Sequence, residues 1–301
     1  MWNSINRVAC RRKLEIMIKN SVDPFIRIVF LPLFLAMVCG FAHADSRIVA
    51  TGGASNIEGS AGGGVVPWAV INGYGSSDEW AVTGMATGVF VDDFTLKVIG
   101  ASVSYDNRVE LSFARQRLKL DSLGGDLQQD IIGLKYKVAG ELLYTTMPQI
   151  SVGVQYKDVD DFSLPSAVGA RDDSGVDYYI AATKVFFDAL WGRNVLVNGT
   201  VRATKANQGG LLGFGSERNN RYRYMKEASV AVLLTDNLAV GMDYREKPDE
   251  LDFAGEDDWQ DFFIGWFVNK NLSVVLAYAD LDSIAGFDNQ KGWYLSVEGA
   301  L

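Results

Sequence analysis

Short segments in which apolar and polar residues alternate run along most of this chain and continue to its last residue. The final segment places Trp293, Leu295 and Val297 on one face, and Tyr294 and Ser296 on the other. A period of two puts successive side chains on opposite faces of a β-strand, whereas a helix repeats about every 3.6 residues. The pattern therefore predicts an all-β protein.

Twelve segments follow this pattern, and each has about the ten residues that a transmembrane β-strand needs. They lie at 80–91, 94–104, 109–119, 128–139, 148–157, 176–187, 195–204, 222–234, 238–247, 259–268, 272–281 and 292–301. One face of each segment is mainly apolar and the other is small or polar, as expected between lipid and a lumen. We therefore predict an antiparallel up-and-down transmembrane β-barrel of about 12 strands.

The links between these segments also alternate in character. Tight links lie at 106–108, 235–237 and 269–271, and long ones at 158–175, 205–221, 248–258 and 282–291. Outer-membrane barrels combine short periplasmic turns with long outer loops in this way. Aromatic residues recur near the segment ends, at Trp80, Phe90, Phe94, Tyr156, Tyr244, Trp259, Tyr278 and Trp293. Such girdles favour a membrane barrel over the alternative, a soluble periplasmic β-sandwich or small-barrel protein.

The first 44 residues have the order of an export signal. A basic front end precedes an apolar run at 28–41, and Ala42-His43-Ala44 follows it. The run is shorter than the roughly 20 residues that a membrane-spanning helix needs, which favours a cleaved signal peptide over an anchor. Either Met1 or Met17 serves as the start. We expect a signal peptide at 1–44, a Gly-rich N-terminal segment at 45–79 and the barrel at 80–301.

The Gly-rich segment has two possible places in such a barrel. Its glycines at 62–64 precede an apolar run at 65–70. It would either supply two first strands, for a total of 14, or fold into the lumen as a plug. Because Pro67 lacks the N–H that a central strand donates to its neighbour, we expect twelve strands and keep fourteen as the alternative.

Loss of the signal peptide removes much of the chemistry that side chains can offer. Cys10, Cys39 and His43, the only such residues of the chain, all lie in it. The mature chain therefore lacks a thiol nucleophile, an imidazole base and any Cys or His metal ligand, so we expect no enzyme and no cofactor. It keeps 22 of 28 basic and 35 of 37 acidic residues, a net charge of −13, which disfavours nucleic acid as a partner.

Several sequence blocks carry a resemblance to a known family. They are Ala-Thr-Gly-Gly at 50–53, Ile-Glu-Gly at 57–59 and Val-Pro-Trp-Ala at 66–69, with further blocks at 109–116, 152–157, 169–173, 210–215 and 256–259. Together they resemble the bacterial family known as domain of unknown function 3034. The resemblance implies a Gram-negative outer-membrane barrel without an assigned activity. Barrels usually end on an aromatic residue that the barrel assembly machinery reads, and Leu301 departs from that rule.

Charged residues of both signs fall on the predicted inward face of the barrel. They are Lys97, Glu110, Lys135, Lys137, Lys157, Arg202, Glu227, Asp243 and Arg245. In a wide barrel these side chains would line a water-filled pore, whereas in a narrow one they would pair across the lumen. On the lipid-facing side, Arg115 and Arg117 lie where a strand reaches the outer headgroups. They would either bind lipopolysaccharide phosphates or extend into water.

Two predicted outer loops are strongly acidic. Their carboxylates are Asp158, Asp160, Asp161, Asp172 and Asp173 in one, and Asp249, Glu250, Asp252, Glu256, Asp257 and Asp258 in the other. Neither loop has the ligand spacing of a calcium site, so we expect solvated carboxylates rather than a bound metal.

Two functions fit this protein in the outer membrane. The leading hypothesis is a porin-like pore that passes small solutes. The alternative is a structural or interaction barrel that organises envelope lipids, including lipopolysaccharide, or protein partners without transport.

Overall fold

The computed structural model of the protein describes residues 52–122, 124–217, 219–251 and 255–301, so the predicted signal peptide at 1–44 lies outside the described residues. Two short strands, β1 (Ala54–Ser55) and β2 (Ala61–Gly62), precede β3 (Trp80–Phe90), β4 (Phe94–Tyr105), β5 (Val109–Leu120), β6 (Asp126–Ala139), β7 (Gln149–Val159), β8 (Ala170–Asp172), β9 (Ser174–Leu190), β10 (Arg193–Thr204), β11 (Phe214–Ser216), β12 (Arg223–Thr235), β13 (Leu238–Arg245), β14 (Trp259–Asn269), β15 (Leu272–Asp280) and β16 (Lys291–Ala300). A short helix, α1 (Ser163–Ala167), and a 3-10 turn (Asn207–Gly210) lie in loops. None of the helices in these ranges is long and apolar enough to cross a membrane.

Twelve of the strands form one closed antiparallel barrel. Their order around it is β3, β4, β5, β6, β7, β9, β10, β12, β13, β14, β15 and β16, and β16 pairs with β3. Val82 and Leu301 exchange backbone hydrogen bonds of 2.9 and 2.8 Å at this seam. Each barrel strand matches one predicted segment, which confirms the prediction of twelve strands and excludes fourteen. We call the end that holds Trp80 and Leu301 the terminal end, and the opposite end the loop end.

Alternation along each strand sorts the side chains between the membrane and the lumen. In β5, Leu111 and Phe113 are exposed on the outer wall, whereas Ser112 and Ala114 are buried inside. The outward apolar side chains suit contact with lipid, and the inward side chains find partners in the lumen.

Aromatic side chains mark both ends of the outer wall. Trp80 and Tyr105 pack at the terminal end, with ring centroids 4.8 Å apart, and Tyr278 and Trp293 pack 5.4 Å apart towards the loop end. The prediction that Phe94 and Trp259 also belong to these girdles is wrong. Both point inward and are buried, because outer loops fold over them at the mouth of the barrel.

The N-terminal segment fills the lumen. Every residue from 52 to 73 is buried, and β1 pairs only with β2, outside the barrel sheet. A Cβ at Gly62 would lie 2.2 Å from the Val66 carbonyl oxygen, and one at Gly63 would lie 2.4 Å from the Asp243 carboxylate. The glycine run therefore allows the segment to bend sharply against itself and against the wall. Of the two places considered for this segment, the structure shows the lumen.

Candidate functional site

A buried network of charged side chains holds the N-terminal segment at the centre of the barrel. Glu58 Oε1 lies 2.7 Å from Lys157 Nζ and 2.7 Å from Arg245 Nη2, and Glu58 Oε2 lies 2.9 Å from Arg202 Nη2. The three cations come from β7, β13 and β10. A single carboxylate of the segment is therefore bonded to three separate strands.

Two further carboxylates of the wall balance these cations. Asp177 Oδ2 lies 2.8 Å from Lys157 Nζ and 3.3 Å from Arg202 Nη1, and Glu227 Oε1 lies 2.5 Å from Arg202 Nε. With Glu58, the network has three positive and three negative groups, all excluded from solvent. Removing one member of a buried ion pair leaves a charge without a counterion, which costs more than the intact pair contributes.

A second charged pair binds the backbone of the same segment. Glu110 on β5 and Lys135 on β6 are register partners. Glu110 accepts hydrogen bonds from the backbone N–H groups of Ala61 (3.1 Å) and Asn72 (2.8 Å), and Lys135 Nζ donates to the Ala61 and Val70 carbonyls at 2.9 and 3.0 Å. The middle of the segment and its last residues are thereby fixed to one place on the wall.

Neutral side chains of the wall satisfy more of the segment's polar groups. Trp68 Nε1 donates to Ser229 Oγ at 2.8 Å, the Ala69 N–H donates to Thr183 Oγ1 at 2.7 Å, and the Ala69 carbonyl accepts from Gln149 Nε2 at 2.7 Å. Because buried backbone groups need hydrogen-bond partners, these polar inward side chains stabilise the N-terminal segment inside the lumen.

A pair of buried carboxylates lies beside the glycine run. Asp243 on β13 and Asp261 on β14 are register partners on the inward face, and Asp243 Oδ2 accepts the Val65 N–H at 3.2 Å. Two carboxylates this close in a buried site disfavour simultaneous ionisation. Within the described ranges, no group of three or more Asp, Glu, His or Cys side chains is arranged to hold a metal ion.

Loops at the loop end close the lumen over the segment. Lys247 Nζ lies 3.1 Å from Glu256 Oε2 and 3.0 Å from the Ser283 carbonyl, and Gln208 hydrogen-bonds Glu256. Burial lowers the pKa of Lys247 and raises the pKa of Glu256, while their mutual attraction opposes both shifts. These contacts tie three loops together.

Two small apolar cavities flank the segment. One of about 40 Å³ lies towards the loop end between Ile57, Phe94 and Leu211, and another of about 40 Å³ lies between Trp68, Phe263 and Phe267. Each has room for about one or two water-sized groups. The packed segment therefore occupies the space through which a solute would pass.

The structure places most of the predicted lumen residues inside, with one correction. Glu110, Lys135, Lys157, Arg202, Glu227, Asp243 and Arg245 are buried inward-facing residues. Lys137 faces inward at the terminal end, with Nζ 2.9 Å from Glu141 Oε1. The prediction that Lys97 lines the lumen is wrong, because it is exposed on the outer wall. Both faces of β4 carry apolar residues, and Phe94 and Val98 take the inward face, where loops and plug bury them.

Arg115 and Arg117 lie on the outer wall, each bonded to a carboxylate of β6. Arg115 Nε and Nη2 lie 2.7 and 2.5 Å from the two oxygens of Asp130, and Arg117 Nε lies 2.7 Å from Asp126 Oδ2. These fork-like contacts use the guanidinium faces that a phosphate would need.

Sequence reasoning missed two members of the central network, Glu58 and Asp177. Asp177 shares its strand face with Tyr179 and Ala181, so the period-two pattern places it inside. No comparable signal exists for Glu58, because the segment that carries it has no regular period. Only the pairing of distant residues brings it to the three cations.

A closed, twelve-stranded antiparallel barrel with an apolar outer wall and polar inward positions defines an outer-membrane β-barrel. The family model described as protein of unknown function (DUF3034) matches residues 51–298, and the chain belongs to that family. No curated protein matches the chain.

Several solved outer-membrane barrels share the architecture at low sequence identity. The KdgM porin is 9% identical with a TM-score of 0.48, over 72% of this chain and 98% of that one. Omp33 of Acinetobacter baumannii is 10% identical with a TM-score of 0.46, over 75% and 100%. The NanC porin is 10% identical with a TM-score of 0.46, over 74% and 100%. These likenesses concern the barrel fold alone.

Proposed function

We propose that this protein is a lumen-closed barrel that organises envelope lipids, including lipopolysaccharide, through its outer wall and loops, and does not conduct small solutes. The observation that carries the proposal is the position of residues 52–73, all of them buried inside the barrel. Glu58 bonds three strands, and wall side chains satisfy the segment's backbone. With the lumen occupied, the outer wall and the loops are the surfaces left for partners.

A porin-like pore for small solutes is the second candidate. It is favoured by the inward charges of both signs, such as Lys157, Arg202 and Glu227, which would suit a water-filled channel once the segment left. In this case the segment would act as a gate. The two functions differ in whether the plugged form ever conducts.

Planar-bilayer recording separates the two candidates. The refolded mature protein, residues 45–301, is compared with a variant that lacks residues 45–75, after heat-modifiable migration has shown that both are folded. We expect no steady conductance from the full mature protein and a steady conductance from the truncated one. Steady conductance of the full mature protein would overturn the closed-barrel proposal in favour of the pore.

A cellular measurement tests the lipid part of the proposal. A deletion strain should become more sensitive to large apolar antibiotics, which a disordered outer leaflet admits, while its uptake of small hydrophilic solutes stays unchanged. A selective loss of hydrophilic uptake, restored by the intact gene, would instead support the pore.

A further inference from the structure

A groove runs along β10 on the outer wall. Ala203 lies between two tyrosines of the neighbouring strands, because it is the register partner of Tyr178 on β9 and of Tyr224 on β12. Two rows below, Gly199 lies between Ala182 and Ala228. Val201 lies in the row between them, next to Ile180 and Lys226. Small or aliphatic residues therefore form the floor, and aromatic rings form the walls near the loop end.

The groove opens into a hollow of about 470 Å³ that reaches across to β6 and β7. Leu134, Val152, Ile180 and Val201 line it together with the tyrosines, and almost all of its lining is apolar. Its volume lies within the roughly 300–1,000 Å³ of ligand sites. A hollow of this chemistry on a membrane-facing wall fits acyl chains.

Positive charge collects above the groove. Lys205 continues the outward face of β10, with Nζ 4.9 Å from the ring centroid of Tyr222, which in turn packs 5.9 Å from Tyr178. Arg221 lines a second, polar hollow with Asn219 and Asn220. Among the described residues, no carboxylate lies within 4.0 Å of the Lys205 amine or the Arg221 guanidinium.

Two other cations near the groove are paired with carboxylates. Arg223 lies 2.5 Å from Glu250, and Lys226, which is the register partner of Val201 beside the groove, lies 3.9 Å from Glu246. Lys205 and Arg221 are therefore the cations that we expect to meet an anion at this end of the groove. The arginines of β5 differ in this respect, because Arg115 and Arg117 are each bonded to a carboxylate.

We propose that the groove along β10 binds the lipid A part of lipopolysaccharide, with an acyl chain between Tyr178 and Tyr224 and a phosphate at Lys205 and Arg221. Guanidinium and ammonium groups bind phosphate through charge-assisted hydrogen bonds, and the apolar hollow lies directly on the membrane side of them. Because outer-membrane barrels carry their long loops on the outer side, we expect the loop end to face the outer leaflet, where this glycolipid resides. The inference therefore deepens the proposed function and rests on it.

The test measures binding of bisphosphorylated lipid A to the refolded mature protein in detergent, by native mass spectrometry. Two variants address the two halves of the site: Lys205→Gln with Arg221→Gln removes the charges, and Ala203→Trp fills the groove. Matched controls are Arg115→Gln with Arg117→Gln, which removes as many charges elsewhere, and Ala101→Trp on the outward face of β4. Heat-modifiable migration shows that every variant is folded.

We expect the charge variant to weaken lipid A binding by about tenfold or more, because it loses charge-assisted contacts to phosphate. Ala203→Trp should weaken it as well, whereas both controls should bind like the unaltered protein. Equal binding by all variants, or an equal loss in the controls, would overturn the site. Equal affinity for phosphatidylglycerol would overturn the choice of lipid A. None of these substitutions touches the lumen, so the conductance experiment tests the closed barrel separately.

Discussion

Replacement of Glu58 by Gln tests how the plug is held. The substitution keeps the shape of the side chain and removes its charge, so the network changes from three cations and three anions to three cations and two anions. Removing one partner of a buried ion pair costs about 3–5 kcal/mol. The excess positive charge reaches water when the segment leaves the lumen. We therefore expect the ratio of open to closed barrels to rise by roughly a hundred-fold to several thousand-fold.

Two measurements follow this change in Glu58→Gln. Chymotrypsin should cleave after Trp68, which is buried in the closed barrel, and bilayer recordings should show opening events. Glu141→Gln is the matched control, because Glu141 pairs with Lys137 at the exposed terminal end. The double variant Glu58→Gln with Lys157→Met restores equal charge, so it should be better protected than Glu58→Gln alone.

If Glu58→Gln protects Trp68 as well as the unaltered protein does and stays equally closed, the charged network does not hold the segment. In that case the backbone contacts of Glu110 and Lys135 would hold the segment by themselves.

Three further predictions concern the packing around the plug. Gly62→Ala should destabilise the barrel to urea by about 1–3 kcal/mol because its Cβ would meet the Val66 carbonyl, and Gly255→Ala, which has open space, should leave the urea midpoint unchanged. Burial raises the pKa of Glu256 above its usual 4.5, so the stability that Glu256 contributes is full below pH 4.5 and falls as the pH rises through the raised pKa. Glu256→Gln should therefore flatten the plot of melting temperature against pH in this range, and an unchanged slope would contradict the prediction. Asp261→Asn should maintain or raise the melting temperature, because it relieves repulsion from Asp243, and a clear loss would show that the charge is needed.

The strands were the most predictable part of the fold. Alternation depends only on neighbouring positions, so the two faces of a strand such as β5 can be assigned from its own twelve residues. The orientation of Lys97 was not predictable in this way. Both faces of β4 are apolar, and the choice between them depends on which one the loops and the plug cover.

For the charged residues, the sequence predicted which face they occupy but not which groups they contact. The alternation placed Lys157, Arg202 and Arg245 on the inward face, but it did not identify what they bind. Their shared partner Glu58 is separated from them by 99, 144 and 187 positions, and no local pattern relates them. The carboxylates that pair with Arg115 and Arg117 likewise come from a neighbouring strand, 15 and 9 positions away.

The sequence by itself determined the barrel class and the twelve strands. The membrane imposes a two-residue period and a strand length, and each strand shows both within its own residues. Only the tertiary structure decided that residues 52–73 close the lumen and that the central charges bind them. Ion pairs and packing form between residues that are distant in the chain, and they exist only when the barrel has brought those residues together.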